Sequence, residues 1–308
     1  MDLDKVKTSY IEKTRKVIGH LDRFIKAPIL YKLLYRNIFN FLKEDFKKAE
    51  LLTKQEDFKT PDEKAPLKFW FLWWQGIEKA PILIKKNFER LEKIVGKENV
   101  KLITKDNYNQ FTNIPDLLVD KLRTGNVSFT NWSDIVRFYL LKDNGGYWID
   151  STVAISKQFY SFIEQQDKSF FSPTALSPDY HWISYAQWTS WFMGGYAHFG
   201  LFEFGCKFFE QYYKNHESNI DYFLMDDMIA YYFKSNKNFR IICSENSKEW
   251  KPYYWVNRYT ENFDKQYIEN FDNNLVYGIQ KMTYKFNKNN YSENSFISYL
   301  TKNLNNVM

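Results

Sequence analysis

The stretch NWSDIVRFYLLKDNGGYWIDST, residues 131–152, determines the fold expected for this chain. Its first half predicts a helix with Asn131 as the N-cap, because an amide side chain there accepts hydrogen bonds from the first turn. Two glycines then allow a sharp turn, and the apolar residues 147–149 predict a short buried strand that ends at Asp150. Since open α/β sheets bind ligands beyond the carboxyl ends of their strands, Asp150 is a candidate ligand-binding residue.

The flanking sequence predicts an α/β sheet around this strand. The aromatic, apolar run Lys68–Trp74 predicts a buried strand, Ala80–Val95 an amphipathic helix and Asn99–Thr104 a second strand. Strand, helix and strand at this spacing are typical of the start of a doubly wound sheet. Further along, we expect a helix over Ile220–Phe233, and strand signals continue through residues 239–285.

The chain divides into three parts by composition. Residues 1–64 are basic and helical with a break near Ala27–Pro28, residues 65–286 hold the α/β pattern, and residues 287–308 form a polar tail. Of the net charge of +6, +5 lies in residues 1–60, which contain fourteen Lys or Arg and nine Asp or Glu. Such a segment suits an anionic membrane surface, and it equally suits helices that dock on their own domain with their lysines in water.

Composition and motifs exclude several classes of protein. Hydrophobic residues make up 44% of the chain, enough for a sizeable core, and two cysteines, Cys206 and Cys243, do not make a disulfide framework. The sequence shows no signal-peptide pattern and no long apolar run, which predicts a cytoplasmic protein. It also lacks the GxGxxG, Walker and HExxH motifs, which argues against a dinucleotide enzyme, an NTPase and a zinc hydrolase.

Asp134 and Arg137 form a candidate site with Asp150. Residues three apart on a helix share a face, so this acid and this base lie side by side. Taken alone, Asp134 also suits the third position of a capping box after Asn131, with Arg137 in solvent. An acid, a base and a strand-end acid at offsets of 0, 3 and 16 residues are a less common combination. They predict a phosphate ligand held together with a metal ion.

These residues resemble the bacterial capsular polysaccharide synthesis glycosyltransferases, a family related to Och1-type mannosyltransferases and to the glucosylating toxins. The residues that carry the shared pattern are Ser133, Asp134, Arg137, Leu140–Leu141, Gly145–Gly146, Trp148 and Asp150. LWWQG at 72–76 and QKMTYK at 280–285 resemble two further family segments. The resemblance implies that residues 65–286 form a GT-A (Rossmann-like) domain that binds a nucleotide sugar, and it leaves residues 1–60 outside.

The resemblance also implies a divalent cation, Mn²⁺ or Mg²⁺, at the DxD motif, which reads Asp150-Ser151-Thr152 here. Asp150 and Thr152 are then the metal ligands, although a hydroxyl is a poorer ligand for a hard cation than a carboxylate. Asp227, or its neighbour Asp226, is a candidate catalytic residue that replaces the missing acid. A solvated acid pair on a helix surface is the alternative for these two residues.

Donor binding is implied for residues from three parts of the chain. Asp134 and Arg137 are expected to hold the donor sugar and its phosphates, and Trp74 is expected to stack on the base. The other donor-binding candidates are Gln75, Gly76, Ser133, Trp148, Lys281 and Lys285. The two lysines have an alternative interpretation as charged residues on the exposed side of one strand.

Together these features predict a metal-dependent glycosyltransferase that uses a nucleotide sugar, expected to be a UDP-sugar, with retention at the anomeric carbon. The expected acceptor is a glycan or polyprenyl-linked oligosaccharide of a capsule, reached at the inner membrane face through residues 1–60. A toxin-like transferase that modifies protein is one alternative, and a non-catalytic protein that binds glycan or RNA is another. No nucleic-acid partner is expected, because the basic excess lies apart from the aromatic-rich part of the chain.

Overall fold

The structure of the protein, a computed structural model, describes residues 3–54, 67–166, 168–286 and 291–307. Its helices are α1 (Leu3–Asp22), α2 (Pro28–Phe41), α3 (Lys43–Lys54), α4 (Ile82–Val95), α5 (Asp116–Arg123), α6 (Phe129–Asn144), α7 (Lys157–Glu164), α8 (Gly200–Asn215), α9 (Leu224–Ser235), α10 (Lys237–Glu245), α11 (Gln266–Asn273) and α12 (Phe296–Asn303). Its strands are β1 (Phe69–Leu72), β2 (Val100–Ile103), β3 (Gly146–Ile149), β4 (Val153–Ile155), β5 (Phe170–Phe171), β6 (Phe192–Gly195) and β7 (Ile279–Lys281).

A five-stranded sheet forms the centre of the molecule, with the strand order β2-β1-β3-β6-β5. β1 pairs in parallel with both β2 and β3, so the carboxyl ends of these three strands meet at one edge. β6 runs antiparallel to its neighbours β3 and β5, which brings its amino end to the same edge. The predicted succession of strand, helix and strand is confirmed, and the mostly parallel sheet is compatible with a Rossmann-like α/β fold.

The turn between α6 and β3 depends on its two glycines. Gly145 and Gly146 have φ angles of 63° and 83°, in the left-handed region that other residues disfavour. A Cβ on Gly146 would lie 2.6 Å from the Lys68 carbonyl oxygen, and one on Gly145 would lie 2.7 Å from the Ala197 backbone nitrogen. The chain therefore turns within two residues and enters β3 alongside β1.

Helix α6 begins earlier than the sequence predicts. Its N-cap is Ser128, whose Oγ accepts a hydrogen bond from the Asn131 backbone N–H, so the prediction of Asn131 as N-cap is wrong. Both residues are good capping residues, and the chain uses the first of them. Asp134 consequently lies in the interior of the helix, where it has no capping role.

Helices α2 and α3 dock on α8 and α9, and α1 contacts the segment that connects α8 to α9. Phe46 of α3 stacks on Phe208 and on Tyr231, with ring centres 5.2 and 4.5 Å apart. Arg15 of α1 forms a two-point ion pair with the buried Asp221. None of the described helices is both long and apolar enough to cross a membrane. The remainder of the predicted helical segment and the linker after it, residues 55–66, lie outside the described residues.

The C-terminal third differs most from the prediction. Most of the strand signals in residues 239–285 are wrong, because α10 and α11 occupy parts of this range and β7 is the one extended strand in it. The polar tail predicted from residue 287 also differs from the structure, since α12 buries Phe296 and Leu300 against α4 and the residues around it. Residues 287–290 lie outside the described part of the chain.

Candidate functional site

Asp150 lies at the edge where the carboxyl ends of β1, β2 and β3 meet. It follows β3 directly, and its backbone N–H donates to the Trp191 carbonyl oxygen at 3.0 Å, just before β6. β3 is buried along its whole length, so Asp150 is the first charged residue after an apolar strand. The carboxylate is therefore in the crevice where ligands of open α/β sheets bind.

Three side chains hold the carboxylate oxygens of Asp150. The Trp148 indole N–H donates to Oδ1 at 2.7 Å, and Arg137 Nη2 donates to the same oxygen at 3.3 Å. Lys281 Nζ donates to Oδ2 at 2.7 Å. Burial alone would raise the pKa of Asp150, but the charges of Lys281 and Arg137 outweigh burial and lower the pKa below its ordinary value. Asp150 is thus an ionised carboxylate that binds both Arg137 and Lys281.

Arg137 connects the two acids predicted for the site. Its Nη1 lies 3.3 Å from Asp134 Oδ1, and its guanidinium carbon lies 4.6 Å from the centre of the Trp148 ring. Nη1 also contacts the Met225 sulfur at 3.0 Å. The Arg137 side chain is only 5% exposed, and its Nε has no hydrogen-bond partner within the described ranges. Arg137 is therefore a buried cation that lies between the carboxylates of Asp134 and Asp150.

Asp134 is the buried acid of this cluster. Burial is the largest influence on it and raises the pKa of Asp134 to about 7, although the charge of Arg137 opposes the rise. The charges of Asp226 and Asp150 add to the effect of burial. Both protonation states of Asp134 are therefore populated near neutral pH, a property common in functional sites.

Lys281 reaches the site from a distant part of the sequence. It ends β7, which pairs antiparallel with β4 so that Lys281 lies opposite Val153. Its Nζ donates to Thr152 Oγ1 at 2.8 Å as well as to Asp150. The small β4–β7 sheet thus places the ammonium between the two side chains of the DxD-like motif.

The residues of the motif do not fit the divalent cation predicted from the resemblance. Asp150 and Thr152 converge on one point, but the Lys281 ammonium lies at that point. Within the described residues, no three His, Cys, Asp or Glu side chains form a group able to hold a metal ion. One carboxylate and one hydroxyl are a sparse set of ligands for a cation that prefers about six oxygens, and an adjacent ammonium adds like charge.

Trp74 belongs to an aromatic cluster at the start of α6. Its ring centre lies 5.3 Å from that of Tyr108, 6.4 Å from that of Phe129 and 6.0 Å from that of Trp132. Because Trp132 precedes Asp134 by two residues, the aromatic cluster and the ionic cluster share one helix. Trp74 is half-buried just beyond the carboxyl end of β1, at the same edge of the sheet as Asp150.

Four other predicted donor-binding residues stay apart from the ionic cluster. Ser133 donates to a backbone carbonyl of its own helix at 2.7 Å, and Gln75 is exposed. Gly76 forms a turn with a φ of 85°, and Lys285 is exposed. In the described part of the chain, none of the four makes a hydrogen bond or ion pair with the acids or the arginine of the site.

The structure brings Asp226 close to Arg137, whereas Asp227, the predicted catalytic residue, lies beside Asp221 and Arg15. Asp227 is fully buried, and burial followed by the charge of Asp221 raises its pKa well above the ordinary value. Asp226 instead accepts a hydrogen bond from Trp188 Nε1 at 2.9 Å. Burial raises the pKa of Asp226 to about 6, while Trp188 and the charge of Arg137 oppose the rise.

A cavity of about 480 Å³ adjoins Asp226 at this edge of the sheet. Trp191, whose carbonyl holds the Asp150 backbone, lies in its wall, and Arg15 and Tyr35 contribute from α1 and α2. Its other large aromatic side chains include Trp182, Trp188 and Tyr253. Aromatic walls with a few polar groups are typical of small-molecule sites. The sequence alone does not distinguish these aromatic residues from core residues.

Comparison with known proteins gives one positive finding. A family model described as capsular polysaccharide synthesis protein matches residues 26–300, which include every residue of the ionic cluster. The match begins before α2, so residues 26–60 lie inside the family region and not outside it as the resemblance had implied. No curated protein and no solved structure matches the chain.

Proposed function

The chain belongs to the capsular polysaccharide synthesis protein family, and on this premise we propose that it is a glycosyltransferase with a nucleotide-sugar donor. The observation that carries the proposal is the pair of cations, Arg137 and Lys281, held on Asp150 at the carboxyl edge of the sheet. Cations at this position complement the diphosphate of the donor, whose negative charge grows as the sugar departs. Trp74 offers an aromatic surface for the base, and the proposed donor is a UDP-sugar.

The proposed reaction replaces one carbon–oxygen bond with another at the anomeric carbon. The bond from this carbon to the diphosphate oxygen breaks, and its electron pair stays on the diphosphate, where Arg137 and Lys281 stabilise the charge. An acceptor hydroxyl oxygen forms the new bond, and its proton passes to the departing phosphate oxygen. The ionised form of Asp134 stabilises the positive charge that develops on the sugar. Retention of configuration, which the resemblance implies, is part of the proposal.

The cavity beside Asp226 supports a glycan as the acceptor. The Trp182 ring, which is 53% exposed, presents a flat apolar surface to the face of a sugar, and carboxylates accept hydrogen bonds from its hydroxyls. Helix α1 contributes Arg15 and helix α2 contributes Tyr35 to the lining of the cavity. An acceptor bound there would therefore touch both the sheet edge and the N-terminal helices.

The connection between α1 and α2 supports a lipid-linked acceptor at a membrane surface. We call residues 23–29 the N-terminal tip, and its exposed side chains include Arg23, Phe24, Ile25, Lys26 and Ile29. Exposed apolar side chains beside basic ones suit an anionic lipid surface. Asp22, which precedes the tip, lies 2.8 Å from Nε2 of His181, and His181 lines the cavity. The tip thus begins one residue after an aspartate that contacts the cavity lining, which supports an acceptor that spans the two.

Donor turnover tests the proposed function. The protein is incubated with a panel of UDP-sugars and GDP-sugars, and release of the nucleotide is followed. We expect release from one donor and a fall of roughly a hundredfold or more in Asp150→Asn, because both cations of the site depend on this anion. Asp120→Asn is the matched control, since this carboxylate is exposed on α5 and pairs only with Arg123 in the described residues.

Failure to release or bind any of these nucleotides would refute the proposal. With a working donor, the acceptor class follows from labelled sugar incubated with cell lysate. Label in the lipid fraction supports a polyprenyl-linked acceptor, whereas label in protein would support the toxin-like alternative.

A further inference from the structure

We propose that the Lys281 ammonium takes the position that the DxD motif gives to a divalent cation, so that Lys281 and Arg137 hold the donor diphosphate without a bound metal ion. The inference rests on the proposed function and deepens it. Lys281 and Arg137 are then the charges that recognise the donor, and nucleotide binding does not depend on a chelator.

Lys281 bridges the two side chains that the motif assigns to the metal ion. Its Nζ lies 2.7 Å from Asp150 Oδ2 and 2.8 Å from Thr152 Oγ1. Both distances are ordinary for hydrogen bonds from an ammonium group to oxygen. A metal ion at this point would have to displace the ammonium, and the motif would then offer it one carboxylate and one neutral hydroxyl.

The residue at position 152 matches an ammonium better than a dication. A second aspartate there would place two anions around the central charge, as a divalent ion requires. Thr152 leaves Asp150 as the anion of the motif and adds a neutral hydroxyl oxygen, which accepts an N–H. The motif therefore has one negative charge fewer than a motif with two aspartates, and the Lys281 ammonium has one positive charge fewer than a divalent ion.

The fold fixes the position of Lys281. The Lys281 backbone N–H donates to the Pro252 carbonyl oxygen at 2.7 Å, and the next N–H, of Met282, donates to the Thr152 carbonyl oxygen at 2.7 Å. On the other side, Gln280 is fully buried and its side-chain amide makes three hydrogen bonds. The backbone at Lys281 is thus held next to the motif, and from there the ammonium reaches both Asp150 and Thr152.

The ammonium still has capacity for a phosphate. It carries three N–H bonds, and the described residues accept two of them. The Lys281 side chain is 24% exposed, so a ligand in the crevice has access to the third. Arg137 adds its positive charge to the Asp150 carboxylate from within the protein.

The ion pairs around Asp150 favour an anionic ligand over a second cation. They join the acids Asp134 and Asp150 to the bases Arg137 and Lys281, so the four charges cancel when both acids are ionised. Because burial raises the pKa of Asp134 to about 7, the sum is zero or positive near neutral pH. Metal sites gain affinity from an excess of negative ligands, which these four ion-paired groups do not supply, and the nearby Asp226 carboxylate accepts a hydrogen bond from Trp188.

Nucleotide binding in the presence and absence of a metal ion tests the inference. Isothermal titration with UDP and with GDP is carried out in EDTA and in Mn²⁺. We expect wild-type binding in EDTA, with a Kd that changes less than about threefold when Mn²⁺ is added. Lys281→Met should weaken binding in EDTA roughly ten- to a hundredfold, the strength of a hydrogen bond between charged groups. Lys281→Arg should keep most of the affinity.

Lys265→Met is the matched control, because Lys265 is exposed at the start of α11, where it pairs with Glu269. Wild-type binding that appears only with Mn²⁺ would overturn the inference and leave the glycosyltransferase proposal intact. Binding of neither nucleotide in either condition would instead refute the proposed function, and the inference with it.

A second measurement does not depend on whether Lys281→Met folds. The wild-type protein is titrated with Mn²⁺ in the presence of UDP, and the electron paramagnetic resonance signal of free Mn²⁺ is followed. We expect the signal to match that of Mn²⁺ with UDP alone. Loss of the signal at one equivalent of protein would show a protein-bound metal ion and overturn the inference.

Discussion

The Lys281 ammonium lies 2.7 Å from a carboxylate oxygen of Asp150, across 131 positions of the sequence. The contact joins the end of β7 to the carboxyl end of β3, and it closes a chain of charges that continues through Arg137 to Asp134. The charges of Lys281 and Arg137 outweigh burial and lower the pKa of Asp150, and the charge of Arg137 opposes the rise that burial causes in the pKa of Asp134. Changing one of them is therefore expected to alter the others.

Arg137→Lys is expected to lower kcat/KM for the donor by roughly a hundredfold. A lysine keeps the charge, but its single nitrogen does not reproduce the fork that reaches Asp134 and Asp150 together. Steady-state kinetics with the identified donor check this, with circular dichroism to establish folding. Arg123→Lys is the control, because Arg123 forms an exposed pair with Asp120. If a folded Arg137→Lys protein had the kinetic constants of the wild type, the proposed role of Arg137 would be wrong.

Asp134 is expected to make the reaction depend on pH near neutrality. Since its pKa is raised to about 7, the ionised form accumulates through this pH, and kcat/KM should rise between about pH 6 and pH 8. Asp134→Asn should be slower and should lack the inflection. Asp226→Asn should keep an inflection but move it to lower pH, because the charge of Asp226 is one of the influences that raise the pKa of Asp134. A wild-type profile without an inflection near pH 7 would contradict this role.

The contribution of Asp134 to the stability of the protein should fall with rising pH, whereas its contribution to kcat/KM should rise. A native carboxyl with a raised pKa holds a proton that the unfolded chain releases above pH 4 or so. Its contribution to the free energy of unfolding therefore falls as the pH rises from about 4 to about 7. The pH range that activates the proposed reaction is thus one in which this acid weakens the fold.

Asp227→Asn is expected to stabilise the protein at neutral and alkaline pH. Asp227 is fully buried with a pKa raised well above its ordinary value, so wild-type stability should fall as the pH rises above about 4 and stay lower above the raised pKa. An amide of the same shape has no proton to lose, and each unit of pKa shift corresponds to about 1.4 kcal/mol. Urea unfolding at pH 5 and pH 8 measures the difference, with the exposed Asp120→Asn as control. An Asp227→Asn protein less stable than wild type at pH 8 would show that the ionised acid supports the fold.

The N-terminal tip is expected to bind anionic membranes. Phe24 and Ile25 are 76% and 63% exposed, and burying each in lipid contributes about 1.5–3 kcal/mol. The double variant Phe24→Ser with Ile25→Ser should therefore sediment with phosphatidylglycerol liposomes at least roughly tenfold more weakly than wild type. Ile241→Ser, at an exposed apolar residue of α10, is the control. Equal sedimentation of wild type and double variant would exclude the tip as the membrane contact.

Local sequence determines the half of the site that lies on α6 and β3. The spacing of Asp134 and Arg137 follows from the helical repeat, and the position of Asp150 follows from a short apolar run after two glycines. These relationships involve neighbours in the chain, so they are readable without knowledge of the fold. The same local signals predict β1, α4 and β2, and through them the edge of the sheet at which ligands bind.

The sequence by itself thus determined the α/β class, the strand that delivers Asp150 and the acid and base beside it. Only the tertiary structure decided that Ser128 and not Asn131 caps α6, and that Asp226 and not Asp227 faces Arg137, because each choice depends on what packs against the helix. It also decided that Lys281 lies on the DxD-like motif, through pairing of β7 with β4. Local propensity leaves such choices open, since contacts between distant segments are selected by packing and chain closure over the whole fold.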